Sequence, residues 1–201
     1  MRYYLDQIKD KFFSIEWYEV YDFIEFVIFK AKDSNFREDF CKKLNKIFKE
    51  EKVPCQIINN LVTPLVSEIE AKEVELALNV ADLYQPVRNH LEKALKHYSK
   101  RPQADYLNSI KESISALESL ARIILEDPKA TLGDLTKKLS VRSAFQQGIS
   151  KLYGWTSDEG GIRHSETKEK ISSGEEEARL MLVLSSAFVN YIISKQKNVK
   201  T

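Results

Sequence analysis

One stretch of this chain, Gln56 to Leu65 (QIINNLVTPL), carries a strand signal: β-branched residues flank an Asn59-Asn60 pair suited to a tight hairpin turn. Elsewhere the apolar residues recur at intervals of three and four, the period of an amphipathic helix. That restricts the fold class to mostly all-α, with one short β-hairpin. An isolated hairpin is marginal in water, so this one must pack on neighbouring helices.

Taken in order, the spacing predicts a helix over Phe12–Lys32 with Phe13, Trp17, Val20, Tyr21, Ile24 and Ile28 in register. A second helix is expected from Phe36 to about Glu50, with Phe40, Leu44, Ile47 and Phe48 inside and Lys42, Lys43, Lys46 and Lys49 on a solvated face. Ser67 then opens SEIE, read as a capping box in which Glu70 reaches back to the first amide of a helix running to about Val80. Asn79 to Gln85 is the expected boundary between a small N-terminal domain, 1–82, and the remainder, 83–201. Pro86 suits the first turn of a helix through Tyr98, and a long helix over Pro102–Leu125 has Ile110, Ile114, Leu117, Ala121 and Ile124 as its stripe. Thr131 is expected to cap a short helix to Leu139, followed by helices over Val141–Tyr153 and Glu175–Lys195. The last is apolar on two faces: Ala178, Met181, Leu182, Ser185, Val189 and Ile192 on one, and Leu180, Leu184, Ala187 and Tyr191 on the other. Such a helix is either central in its domain or buried by a second subunit, and a homodimer through the C-terminal helices is the expectation here.

Charge narrows the partners. Lys plus Arg total 31 against 30 Asp plus Glu, a net charge of +1, so any RNA contact must be a local patch and nothing pulls the whole chain to an anionic membrane. The apolar run Leu180–Ile193 is too short for a span and is interrupted by Ser185, Ser186 and Asn190. No export signal is read in MRYYLDQIKDKFF, and Cys41 and Cys55 read as free thiols, so a cytoplasmic location is expected. There is no phosphate loop, no HExxH and no nucleophile elbow, and His90 and His97 lack a third ligand, so neither a cofactor nor a metal is expected.

Functional residue types collect in one place, Trp155 to Glu166 (WTSDEGGIRHSE). Gly160 and Gly161 permit positive φ, and Asp158, Glu159, Arg163 and His164 lie within a few residues of one another. Metal-free cleavage of RNA needs a base for the ribose 2′-hydroxyl, an acid for the leaving oxygen and a cation for the phosphorane charge. His164, of an ordinary pKa near about 6.5, suits proton transfer, and the planar fork of Arg163 suits a phosphate. The competing account is a charged surface loop in which Arg163 pairs with Asp158 or Glu159 and His164 caps a carbonyl.

Four blocks, NSIKESISALESLARII (Asn108 to Ile124), ATLGDLTKKL (Ala130 to Leu139), KLYGWTSDEGGIRHSE (Lys151 to Glu166) and ARLMLVLSSAFVNYII (Ala178 to Ile193), together resemble the C-terminal HEPN-like domain of AbiJ-type abortive-infection proteins. The N-terminal part, with WYEVYDFIEF (Trp17 to Phe26), the hairpin and SEIEAKEVELAL, is similar to the small domain that precedes it in one AbiJ-type group. The resemblance implies a dimeric all-helical HEPN bundle that in active relatives is a metal-independent endoribonuclease of antiphage or toxin–antitoxin systems. It implies RNA as substrate or ligand and an antitoxin or phage product as a further partner. The usual signature is an Arg followed four to six residues later by a His, whereas Arg163 and His164 are adjacent. Arg163 and His164 are then the catalytic candidates, and Glu112 and Glu118 correspond to acidic positions on an earlier bundle helix that can orient them. A non-catalytic HEPN-like module binding RNA or protein through the aromatic N-terminal helix is the alternative.

Overall fold

The computed structural model describes residues 2–65, 67–139, 141–157 and 174–199. It is mostly all-α, with one two-stranded antiparallel sheet among the described residues. By internal contacts it divides into two units, one of residues 1–66 with Arg101–Gln103, the other of Ser67–Lys100 with residues 104–201.

The first unit holds α1 (Arg2–Ser14), α2 (Trp17–Lys30), α3 (Ser34–Glu50), β1 (Gln56–Ile58) and β2 (Leu61–Thr63). The single helix expected over Phe12–Lys32 is two, because the chain opens to an extended conformation at Glu16 (φ −68°, ψ 151°). The Glu19 carboxylate accepts the Glu16 amide at 2.9 Å, giving α2 its own start without a glycine or proline. Asp33 caps α3, its carboxylate accepting from the Asn35 and Phe36 amides. Ile28, Phe48, Cys55, Ile57 and Val62 form the core, with Tyr21, Ile24, Phe40 and Leu44 packed around them, while Ile47 is turned out. On the outer face of α3, Lys42 pairs with Glu38, Lys43 with Asp39 and Lys46 with Glu50. Exposed pairs of this kind are screened by solvent and contribute little to stability.

The hairpin has Ile58 opposite Leu61, Ile57 opposite Val62 and Gln56 opposite Thr63. Asn59 (φ 47°) and Asn60 (φ 66°) form its two-residue turn, the left-handed pair of a type I′ turn. Both outer edges are closed by side chains. On β1, the Ile57 amide donates to Asn45 Oδ1 at 2.7 Å and Asn45 Nδ2 donates to the Ile57 carbonyl at 3.1 Å. On β2, the Val62 amide donates to Glu25 Oε1 at 2.8 Å and Arg101 Nη1 donates to the Val62 carbonyl at 2.8 Å. Arg101 also pairs with Asp22 and Glu25 at 2.9 and 2.6 Å, and its side chain is 9% exposed. Burial alone would lower the Arg101 pKa; the two carboxylates outweigh it and raise it.

The second unit holds α4 (Glu68–Val80), a 3₁₀ turn (Ala81–Leu83), α5 (Gln85–Tyr98), α6 (Tyr106–Leu125), α7 (Leu132–Lys138), α8 (Ser143–Ser157) and α9 (Glu175–Val199). α5 and α6 form an antiparallel pair, and α9 packs on α4 and α6. The expected boundary near residue 82 places α4 with the N-terminal domain, whereas by packing its buried face (Ala71, Val74, Ala77 and Leu78) belongs with α9. Ser67 caps α4 at 3.4 Å as expected, but Glu70 does not complete the box: it accepts from Arg179 on α9. Asp105, not a residue near Pro102, starts α6, and its stripe Ile110, Ile114, Leu117, Ala121 and Ile124 is buried as read. Thr131 and Asp134 cap α7 reciprocally. α8 runs through Gly154 to Ser157, past the point where a loop is expected to begin.

On α9 the face of Ala178, Met181, Leu182, Ser185, Val189 and Ile192 is buried. Leu184 and Ala187 on the second face are half-buried, and Leu180 and Tyr191 are exposed. α9 extends well beyond Leu180–Ile193, and among the described residues it is the one helix long and apolar enough to cross a membrane by length and composition.

Candidate functional site

The antiparallel α5–α6 seam is built by stepping back along one helix and forward along the other. Ser109 Oγ donates to the Ala94 carbonyl at 2.9 Å in the middle of that seam. One step towards the connection, His97 Nδ1 lies 3.3 Å from Asp105 Oδ2. One step away from it, His90 Nδ1 lies 2.6 Å from Glu112 Oε2. The two histidine–carboxylate pairs therefore share one face of α5, about 10 Å apart at 1.5 Å of rise per residue.

The two pairs differ in what the carboxylate does. Asp105 is the N-cap of α6, accepting from the Asn108 amide and side chain at 3.2 and 2.8 Å, and its own amide donates to the His97 carbonyl. Burial pushes the Asp105 carboxyl up, but the bonds from Asn108 and the neighbouring His97 and Lys100 hold it below its ordinary value. It is a joint of the α5–α6 connection. Glu112 lies inside the helix with no capping task, and both it and His90 are about three-quarters shielded, with 25% and 29% of their side chains exposed.

Glu118 occupies another edge of α6. Six residues at about 100° each place it some 120° around the axis from Glu112. Its carboxylate accepts from Tyr153 on α8 and, at 3.4 Å, from Arg122 one helical turn further along α6. Glu112 and Glu118 thus face different neighbours. Arg163, His164, Asp158 and Glu159 lie outside the described residues, in the segment between α8 and α9.

Two phenols stand near the start of α9. Tyr106 donates to Glu175 at 3.4 Å, and burial followed by the charge of Glu175 raises the pKa of both Tyr98 and Tyr106. Both stay protonated in neutral water, which suits donors and rules them out as bases. No group of three or more His, Cys, Asp and Glu able to hold a metal occurs among the described residues.

The N-terminal unit presents a different surface. A cleft of about 570 Å³ is lined by Asp22, Glu25, Phe26, Phe29, Arg37 and Asn60, among others. Along α1 and α2 Phe13, Trp17 and Phe29 are 80%, 60% and 79% exposed, an aromatic surface that the unit's own core does not use. The sequence pointed to this stripe; the His90–Glu112 pair it did not, because the pairing exists only once two helices are docked in register.

A small aromatic α-helical unit with one edge-sealed hairpin, and a helical unit organised around α6 and α9, define the class of molecule. Residues 1–80 match the family model described as AbiJ N-terminal domain 4, so the first part of the chain is similar to an AbiJ-type N-terminal domain. No curated protein and no solved structure matches the chain.

Proposed function

We propose that this is an abortive-infection protein of antiphage defence whose C-terminal, HEPN-like unit cleaves RNA without a metal. The observation that carries this reading is the AbiJ-type match over residues 1–80, joined to a helical unit whose sequence blocks resemble the HEPN-like partner of such domains. Arg163 holds the scissile phosphate through its fork and His164 transfers a proton, with Asp158 or Glu159 as the orienting carboxylate. Glu112 and Glu118 already have partners, His90 for the first and Tyr153 with Arg122 for the second. They support the bundle side of the site through those partners. The half-covered face of α9, with Leu180 and Tyr191 exposed, is the surface through which two cytoplasmic copies pair.

Purified protein incubated with total cellular RNA in EDTA tests the reading. The wild type is expected to leave 2′,3′-cyclic phosphate ends, and His164→Ala and Arg163→Ala to lose at least about 100-fold in rate. Unchanged cleavage by both variants overturns the assignment of the site. Failure of the wild type to cut moves the weight to the second reading, a binding module that meets a partner through exposed Phe13, Trp17 and Phe29.

A further inference from the structure

Arg37 is a side chain whose bonding the N-terminal unit leaves unfinished. Its Nη2 donates to the Ala31 carbonyl at 2.7 Å, just past the end of α2, while its Nε is buried with no hydrogen-bond partner. Among the described residues it makes no ion pair, because the carboxylates nearest in sequence and in space go elsewhere: Glu38 to Lys42, Asp39 to Lys43, Asp22 and Glu25 to Arg101. A guanidinium drawn partly out of water with one hydrogen bond and no counter-ion is under-satisfied, and an anion beside it offsets that cost. Arg37 lines the cleft of about 570 Å³ in this unit, and small-molecule sites run from about 300 to 1,000 Å³.

The cleft has two chemically different ends. Asp22, Glu25, Phe26 and Phe29 fall at intervals of three and four on one face of α2, which sets Asp22 and Phe29 about 10 Å apart along the helix. At the Phe29 end stand Arg37 and Lys30, whose Nζ lies 5.5 Å from the ring centroids of both Phe26 and Phe29. At the other end both bonds from Arg101 to Asp22, at 3.1 and 2.9 Å, finish on Oδ1, which leaves Oδ2 to accept from another donor. Glu25 is taken up by Arg101 and the Val62 amide. Between the ends the exposed rings of Phe26 and Phe29 offer apolar faces, and Asn60 brings a side-chain amide from the hairpin turn. Around the cleft Arg37, Lys30 and Arg101 outnumber Asp22 and Glu25, so an anion is drawn in.

We infer that this cleft binds a nucleotide whose base carries an amino group: adenine, cytosine or guanine. The phosphate meets Arg37 and Lys30, the base lies against Phe26 and Phe29, and the amino group donates to Asp22 Oδ2, with the Asn60 amide on the base edge. Uracil presents carbonyls in place of the amino group, and a carboxylate repels them. An acidic peptide meets Arg37 as well, but brings a ring that both stacks and donates only with a tryptophan or a histidine. The nucleotide is free or one unit of an RNA strand, since recognition is the same for both. No cleavage step enters, so the site stands or falls apart from the ribonuclease reading.

The test is calorimetric titration of the whole chain with AMP, CMP, GMP, UMP and adenosine, and with short 2′-O-methyl oligonucleotides of A and of U, which offer no 2′-hydroxyl to cleave. AMP, CMP and GMP are expected to bind one per chain, and UMP at least about tenfold more weakly. Phe29→Ala, which removes an exposed ring that the core does not use, is expected to lose about tenfold or more in affinity for AMP at an unchanged melting temperature. Arg37→Gln loses about tenfold for AMP and nothing for adenosine, which brings no phosphate; general destabilisation does not give that split. Binding of the A oligonucleotide without AMP supports the site and places its nucleotide in an RNA strand; binding of AMP without the oligonucleotide supports it as a site for a free nucleotide. No binding of either overturns the inference, and so does equal binding by wild type, Phe29→Ala and Arg37→Gln. A peptide bearing Asp and Trp that binds where the nucleotides do not also overturns it, in favour of a protein partner.

Discussion

Asn45 acts as a one-residue strand. Its amide takes the Ile57 N–H and offers its own N–H to the Ile57 carbonyl, the two bonds a neighbouring strand would make at a position whose backbone points outward. Ile57 is buried, so removing the side chain leaves both groups without a partner. Asn45→Ala is expected to destabilise the N-terminal unit by about 1–3 kcal/mol, read as a lower urea midpoint with unchanged slope. An unchanged midpoint would show that water replaces the amide at no cost. The Asn59-Asn60 turn of the same hairpin was legible in the sequence, because left-handed turn residues announce themselves locally. Asn45 was not, since its partner is set by how α3 docks.

At the scale of the element, α6 shows what periodicity conveys and what it misses. Its buried stripe was legible position by position, because the 3.6 period is a property of the sequence alone. Its start was not: Pro102 is a plausible first-turn residue, but the chain waits for Asp105, whose carboxylate meets the Asn108 amide. The same limit explains α1 and α2, divided by an extended Glu16 where the apolar spacing runs on undisturbed. The carboxyl of Asp105 is held below its ordinary value in the folded chain, so the folded state binds its proton later than the unfolded state does. The cap's contribution is therefore full above the unfolded value, about pH 3.9, and is lost as pH falls through the lower folded value. Asp105→Ala is expected to cost about 1 kcal/mol near neutrality, and the gap in melting temperature between it and wild type to close as pH falls through the lowered folded value. A gap independent of pH would mean that the carboxylate's charge is not what starts the helix.

At the scale of the whole molecule, the sequence suggests a small domain over 1–82 and a remainder over 83–201, and internal contacts group the chain as residues 1–66 with Arg101–Gln103 and the rest. The N-terminal unit recruits Arg101–Gln103 from the α5–α6 connection, and no local pattern marks Arg101 as the cap of a strand 39 residues earlier. The Arg163–His164 candidates were visible because adjacent charges and glycines stand out in an otherwise periodic chain; His90–Glu112 was hidden because neither residue is unusual on its own helix. Arg101→Ala leaves Glu25 and the Val62 carbonyl short of a charged partner and is expected to cost about 1.5–3 kcal/mol. Faster amide exchange at Ile58 and Val62 in that variant, and equally in a fragment of residues 1–80, checks it. Exchange at the wild-type rate in both would mean that the hairpin stands without Arg101.

That dependence also has a clock attached. Chains leave the ribosome at about 5–20 residues per second, so the residue that closes the β2 edge follows Val62 by 39 positions, roughly 2–8 s. Asn45, by contrast, is already made when β1 appears. For those seconds one side of the nascent hairpin is sealed, while on the other Glu25 can take the Val62 N–H but the Val62 carbonyl still lacks Arg101. The moment at which the hairpin's second edge is completed is therefore set by the position of a single arginine.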